Sequence, residues 1–121
     1  MYDKYGQFID GKWQKSASGE TYDVINPATE DVIGRASKAN SSDVQKALKS
    51  AEKGLEIWKN TSPWERSRII RKISDLIKKR VDVLSKWLTL EAGKPITEGT
   101  GEIGGAADIF EWNSEETKRI F

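Results

Sequence analysis

Between Ser62 and Pro95 the chain carries a helix start signal, a helical apolar pattern broken once in its middle, and a hard stop. Ser62, Pro63 and Glu65 stand at capping-box spacing, with Pro63 at the first helical position, where its missing N–H costs nothing. Ile69, Ile70, Ile73, Leu76, Ile77, Leu84, Trp87 and Leu88 then recur at three- and four-residue steps, and Val81 bridges the middle. The spacing predicts amphipathic helix with one apolar face. Gly93 allows a left-handed C-cap and Pro95 refuses another turn. The same period places Glu91 inward beside Leu84, Trp87 and Leu88, and a buried carboxylate needs a cation, hydrogen-bond donors or a proton. Glu91 is therefore either a ligand for a bound cation or a helix-end acid that pairs with Lys94 or caps nearby backbone.

Ahead of this stretch the pattern is β. Asp10-Gly11 joins Phe8-Ile9 to Lys12-Trp13, the strongest short-range hairpin signal. Ser16 to Gly19 reads as a turn, Tyr22 to Ile25 as a second strand, Asn26-Pro27-Ala28-Thr29 as another turn, and Val32-Ile33 as a third strand. The expectation is one small antiparallel sheet covered by the helices that follow. From Ser42 the period changes to 3.6, with Val44, Ala47, Leu48, Ala51, Leu55 and Trp58 on an inward stripe and Ser42 and Gln45 as a second capping box. A last helix runs from Thr97 to about Lys118, with Ile103, Ala106, Ala107 and Phe110 inward. Its glycines, Gly99, Gly101, Gly104 and Gly105, suggest close approach to a neighbouring backbone. The fold class is α+β, with a β hairpin region over residues 1–40 and three or four packed helices over 41–121.

Charge is segregated. Residues 63 to 80 carry a net +5 and residues 97 to 121 a net −4, so the two helices suit side-by-side packing. The formal net charge of +1 argues against a nucleic-acid or membrane-surface protein, which depends on a strong single-sign field. The basic central helix could bind phosphate, but its cations are spread around the helix and read better as a solvated face. Gly99-Thr100-Gly101-Glu102-Ile103-Gly104 is a literal G-x-G-x-x-G, yet a helix stop and turn precede it where a dinucleotide fold needs a buried strand. With no Cys and no His, the residues most used as nucleophile and general base are missing. Met1 to Gly6 lacks a basic start followed by an apolar run, so the expected location is the cytoplasm. Trp112, Ile120 and Phe121 have no later segment to cover them, which suggests the front of something longer.

Phe8-Ile9-Asp10-Gly11-Lys12-Trp13, Val24-Ile25-Asn26-Pro27-Ala28-Thr29, Asp43-Val44, Glu65-Arg66, Ile69 and Leu88-Thr89-Leu90-Glu91-Ala92-Gly93-Lys94-Pro95 together resemble the N-terminal quarter of the NAD(P)-dependent aldehyde dehydrogenase superfamily. The likeness covers Phe8 to about Trp112. It implies an enzyme that oxidises an aldehyde to a carboxylic acid with NAD or NADP, and a homo-oligomer once complete. The family's catalytic Cys, general-base Glu, oxyanion-stabilising Asn and cofactor site lie beyond this segment, so no catalytic and no cofactor-binding residue is implied here. The partner implied is the remainder of the dehydrogenase chain, with no nucleic acid and no membrane. Some members bind a structural monovalent cation, Na or K, through the two carbonyls before Asn-Pro and the acid before Gly-Lys. Those positions are Val24, Ile25 and Glu91, the last standing where several members have Asp; oxygen donors suit a hard cation. The 121 residues alone are expected to be inactive scaffold. The alternative is a free-standing α+β interaction module without catalysis.

Overall fold

The computed structural model describes residues 5–119. It forms two compact units that divide between Ile57 and Trp58. Among the described residues no helix is long and apolar enough to cross a membrane.

In the first unit, β1 (Gln7–Ile9) and β2 (Lys12–Gln14) pair antiparallel with Phe8 opposite Trp13. Asp10 and Gly11 both take positive φ, 55° and 74°, the backbone a two-residue hairpin turn requires. The Trp13 ring lies between those of Tyr5 and Phe8, about 5 Å from each. β3 (Thr21–Ile25) and β4 (Val32–Ser37) form a second hairpin whose register shifts between Val24 and Ile25, leaving Ile33 of β4 as the extra residue. Its turn is closed by the Asn26 N–H to Asp31 O, the Glu30 N–H to Asn26 O, and the Ala28 N–H to Asn26 Oδ1.

The expected single sheet is thus two separate two-stranded sheets. The reason lies in the Ser16 to Gly19 turn: Ser16 and Ala17 are hydrogen-bonded to Asp43 on the first helix, which draws the chain away from β2 before β3 begins.

That helix, α1 (Ser41–Lys59), is capped by Asn40. The Asn40 side chain accepts from the Ser42 and Asp43 N–H groups, and the Asp43 carboxylate accepts the Asn40 N–H in return. This reciprocal box replaces the Ser42 and Gln45 pair expected from sequence. Val44, Leu48 and Leu55, expected inward, are 50%, 53% and 61% exposed, and Asp43 is the buried residue of α1.

The second unit holds α2 (Pro63–Lys78), α3 (Val81–Ala92) and α4 (Ile96–Glu116), followed by a short 3-10 turn over Thr117–Arg119. Ser62 Oγ accepts the Glu65 N–H at 3.2 Å, as the start signal predicts. The break in the pattern falls at Lys79 and Arg80, and α3 ends on Gly93 at φ 68°. α4 packs against α2 and α3. The seam is built of small residues: Ser67 and Ser74 on α2, Ser85 on α3, and Gly99, Ala107 and Ser114 on α4 are buried. Short side chains bring helix axes close, so the isoleucines beside them flank the seam; Ile70 and Ile77 are half-buried, whereas Ile69, Ile73 and Leu76 are exposed. Ser85 and Ser114 donate their hydroxyls to Val81 O and Glu111 O, each within its own helix.

Of the four α4 glycines, Gly99 alone makes the expected close approach. A Cβ there would stand 3.3 Å from Ser85 O, whereas at Gly101, Gly104 and Gly105 it would meet nothing within 4 Å. The expectation of oppositely charged neighbours holds: Arg71 pairs with Glu111 at 2.9 Å, and Lys78 bonds Glu111 and lies 3.5 Å from Asp108. Trp112 is 69% exposed, and Ile120 and Phe121 lie outside the described residues.

Candidate functional site

The three cation candidates fall in two places. Val24 and Ile25 sit together at the end of β3, paired with Gly34 and Val32, where the ladder shifts register and Ile33 of β4 is the extra residue. Glu91 lies in the last turn of α3, in the second unit. It is exposed, not inward with the half-buried Leu84, Trp87 and Leu88, because the seam with α4 closes one turn earlier, where Gly99 meets Leu88 and Thr89. Two carbonyls and a carboxylate are an all-oxygen set, which fits a hard monovalent cation. Among the described residues no group of three or more acidic side chains gathers to hold a metal ion.

The glycine motif at Gly99 to Gly104 lies wholly inside α4, and its N–H groups are spent on helix hydrogen bonds; Gly99 donates to Pro95 O at 3.0 Å. It offers no phosphate cradle. The basic face of α2 borders a cavity of about 340 Å3 lined by Trp64, Arg68, Arg71, Lys72 and Lys118 together with Asp75 and Glu115. Two of its four cations are engaged: Arg71 holds Glu111, and Lys118 bonds Glu115 at 2.8 Å while lying 5.4 Å over the Trp64 ring. Such a surface has little net field left for a phosphate.

Sequence reasoning gave Asp43 no buried role, yet its carboxylate is the most connected side chain of the first unit. It is 3% exposed and accepts from four groups. These are the Ala17 N–H at 3.1 Å, the Asn40 N–H at 3.1 Å, Ser16 Oγ at 3.2 Å and Gln7 Nε2 at 3.4 Å. Burial pushes its pKa up, and the hydrogen bonds from Asn40, Ala17, Ser16 and Gln7 outweigh that, leaving it below the ordinary aspartate value. The signal was present only as an acid two residues inside a helix start; the donors lie too far off in sequence to be paired with it. The arrangement orders backbone. Nothing about it supplies a nucleophile or a proton-transfer partner.

Residues 13–121 match the model of the aldehyde dehydrogenase family. A glutarate-semialdehyde dehydrogenase of Pseudomonas aeruginosa is 38% identical over 114 residues, which is 94% of this chain and 24% of the relative. The NADP-dependent succinate-semialdehyde dehydrogenase of Escherichia coli is 38% identical over 113 residues, covering 93% and 23%. The crystal structure of an NAD-dependent aldehyde dehydrogenase from Sinorhizobium meliloti superposes with a TM-score of 0.92 at 36% identity, over 96% of this chain and 24% of that one. The chain spans about a quarter of the length of these relatives, and its two hairpins and four helices match the N-terminal portion of the fold. It belongs to the aldehyde dehydrogenase family.

Proposed function

We propose that this chain is the scaffolding N-terminal portion of an NAD(P)-dependent aldehyde dehydrogenase and has no dehydrogenase activity by itself. The complete enzyme oxidises an aldehyde to a carboxylic acid, with the hydride passing to the nicotinamide and a Cys thiolate as nucleophile. The chain has no Cys and no His, so the nucleophile belongs to the remaining three-quarters of the protein. What this portion contributes is shape: two hairpins, a helix held at its first turn, and a three-helix unit.

The observation that carries the reading is the apolar stripe of α1. Val44, Leu48 and Leu55 lie on one face, half or more exposed, in a chain whose relatives are about four times longer. A helix hydrophobic on one stripe is built to bury it against another element.

The test is complementation. The glutarate-semialdehyde dehydrogenase of Pseudomonas aeruginosa, cut back to remove its matching N-terminal residues, is mixed with this chain and the formation of NADH or NADPH is followed. The expected result is turnover in the mixture and in neither part alone. Turnover by the chain alone, or an inactive mixture beside an active intact relative, refutes the proposal; a monodisperse monomer with an inactive mixture favours a free-standing interaction module.

Two further readings rest on the family likeness. The complete enzyme is a cytoplasmic homo-oligomer, checked by sedimentation of the complemented enzyme and by fractionation. The carbonyls of Val24 and Ile25 and the Glu91 carboxylate hold a monovalent cation, Na or K, in the complete enzyme. Glu91→Gln is expected to remove any K-dependent gain in the thermal stability of the complemented enzyme, and an undiminished gain would exclude Glu91 as a ligand.

A further inference from the structure

Asp43 joins three separate stretches of the first unit: Gln7 of β1, the Ser16 and Ala17 turn after β2, and the Asn40 cap of α1 itself. A carboxylate is acceptor-only, so all four donors are satisfied at once; an amide in its place would turn donors toward donors. Beyond the first turn α1 has no extended packing on either hairpin. An open cleft of about 290 Å3 separates Ile9, Asp10 and Gln14 from Lys46, Lys49 and Lys53. The direction of a 19-residue helix therefore depends on one buried side chain near its start.

We propose that Asp43 is a positioning residue, the joint that aims α1 so that Val44, Ala47, Leu48, Ala51 and Leu55 meet the remainder of the dehydrogenase chain. This rests on the reading above that the remainder covers the stripe, whose occupant is argued from the three-quarters of each relative's length that lies outside this chain. Asp43 touches neither substrate nor partner; it acts through the helix.

The chain has no native Cys, so cysteines introduced by Lys12→Cys and Lys53→Cys, both at exposed positions, take spin labels uniquely. Pulsed electron resonance on the labelled chain is expected to give one narrow distance distribution with Asp43 present, and a broad one in Asp43→Asn and Asp43→Ala at unchanged helix content. In the complementation assay Asp43→Asn is expected to raise the concentration of chain needed for half-maximal activity without lowering the maximum. If α1 then points correctly about a tenth of the time, that concentration rises about tenfold. A general loss of structure would lower the maximum instead.

Should both Asp43 variants lose helix content, the double variant Gln7→Ala with Ser16→Ala, which removes two donors and keeps the acid, is read in the same way. A distance distribution that stays narrow overturns the proposal, as does a broad one with an unchanged half-maximal concentration. A chain that sediments as a dimer, and as a monomer after Leu48→Glu, assigns the stripe to a second copy and also overturns it. An inactive mixture with the wild-type chain counts against the proposed function, while the distance measurement still judges the joint.

Discussion

The glycines of α4 give the sharpest quantitative prediction, because the same substitution should have opposite outcomes two residues apart. Gly101 and Gly105 lie in the interior of a 21-residue helix with open space where a Cβ would go. Alanine at either site gains the difference in helix propensity, about 0.8 to 1 kcal/mol, with nothing to offset it. In a unit of this size that raises the melting temperature by about 4 to 8 °C per kcal/mol.

Gly99 has the same propensity to gain, but its new Cβ would lie 3.3 Å from Ser85 O and 3.4 Å from Thr89 Oγ1. Both atoms belong to α3, and relieving them means shifting one helix axis by a few tenths of an ångström in a seam already filled by Ser85 and Ala107. Overpacking of such a seam costs about 1 to 3 kcal/mol, so Gly99→Ala is expected to be neutral to destabilising by about 2 kcal/mol. Far-UV circular dichroism melts of the three single variants decide the matter. Gly99→Ala gaining as much as Gly101→Ala would refute the close-approach argument, and Gly101→Ala losing stability would refute the open-space one.

Ser62→Ala removes the N-cap acceptor of α2 and should cost about 1 kcal/mol of stability, read from urea unfolding; an unchanged midpoint would show that the cap is idle. Glu111→Gln breaks the pairs with Arg71 and Lys78 and should lower the melting temperature of the three-helix unit, with the difference shrinking in high salt because the pair is solvent-accessible. The carboxyls of Glu111, held by hydrogen bonding from Lys78 and the Arg71 charge, of Glu115, held by Lys118, and of Asp43 all have pKa values below the ordinary 3.8 to 4.5. Their stabilisation is present above that range and is lost as pH falls through the lowered values. The Lys78 ammonium is raised by its hydrogen bond to Glu111, so its contribution is whole below 10.5 and fades as pH rises through the raised value. Urea midpoints across pH should therefore drop at both ends, and a midpoint that keeps rising below pH 3.8 would contradict the acid arm.

What the sequence made legible was local hydrogen bonding. The Asp10-Gly11 turn, the Ser62 cap and the Gly93 stop each involve residues within four positions of one another, so their spacing alone identifies them. Asp43 escaped because Gln7, Ser16 and Ala17 stand 36, 27 and 26 residues away, and no period in the chain reports such a meeting. The α2 and α4 seam escaped for another reason: hydrophobicity pointed to the isoleucines, whereas close helix approach selects the serines between them. Charge segregation reported the same seam correctly, because opposite signs attract whatever the packing detail. The inward placement of the α1 stripe was a correct reading of amphipathicity, yet Val44, Leu48 and Leu55 stay half or more exposed.

Val44, Leu48 and Leu55 each keep half or more of their side chain in water, so covering them is worth about 1 kcal/mol or more apiece. Two-stranded hairpins are marginal by themselves, and the first unit has two of them with Ile9 as its buried apolar residue. Its order therefore comes from polar joints, Asp43 first, which fix direction without supplying much hydrophobic stabilisation. Docking then has two effects through one contact: it buries the stripe, and it stabilises the β1 and β2 hairpin that is hydrogen-bonded to the same helix, by an amount that grows with the concentration of the remaining chain over its dissociation constant. A polar joint suits that arrangement better than an apolar one, because its donors and acceptor have fixed geometry and aim the helix before the apolar partner arrives.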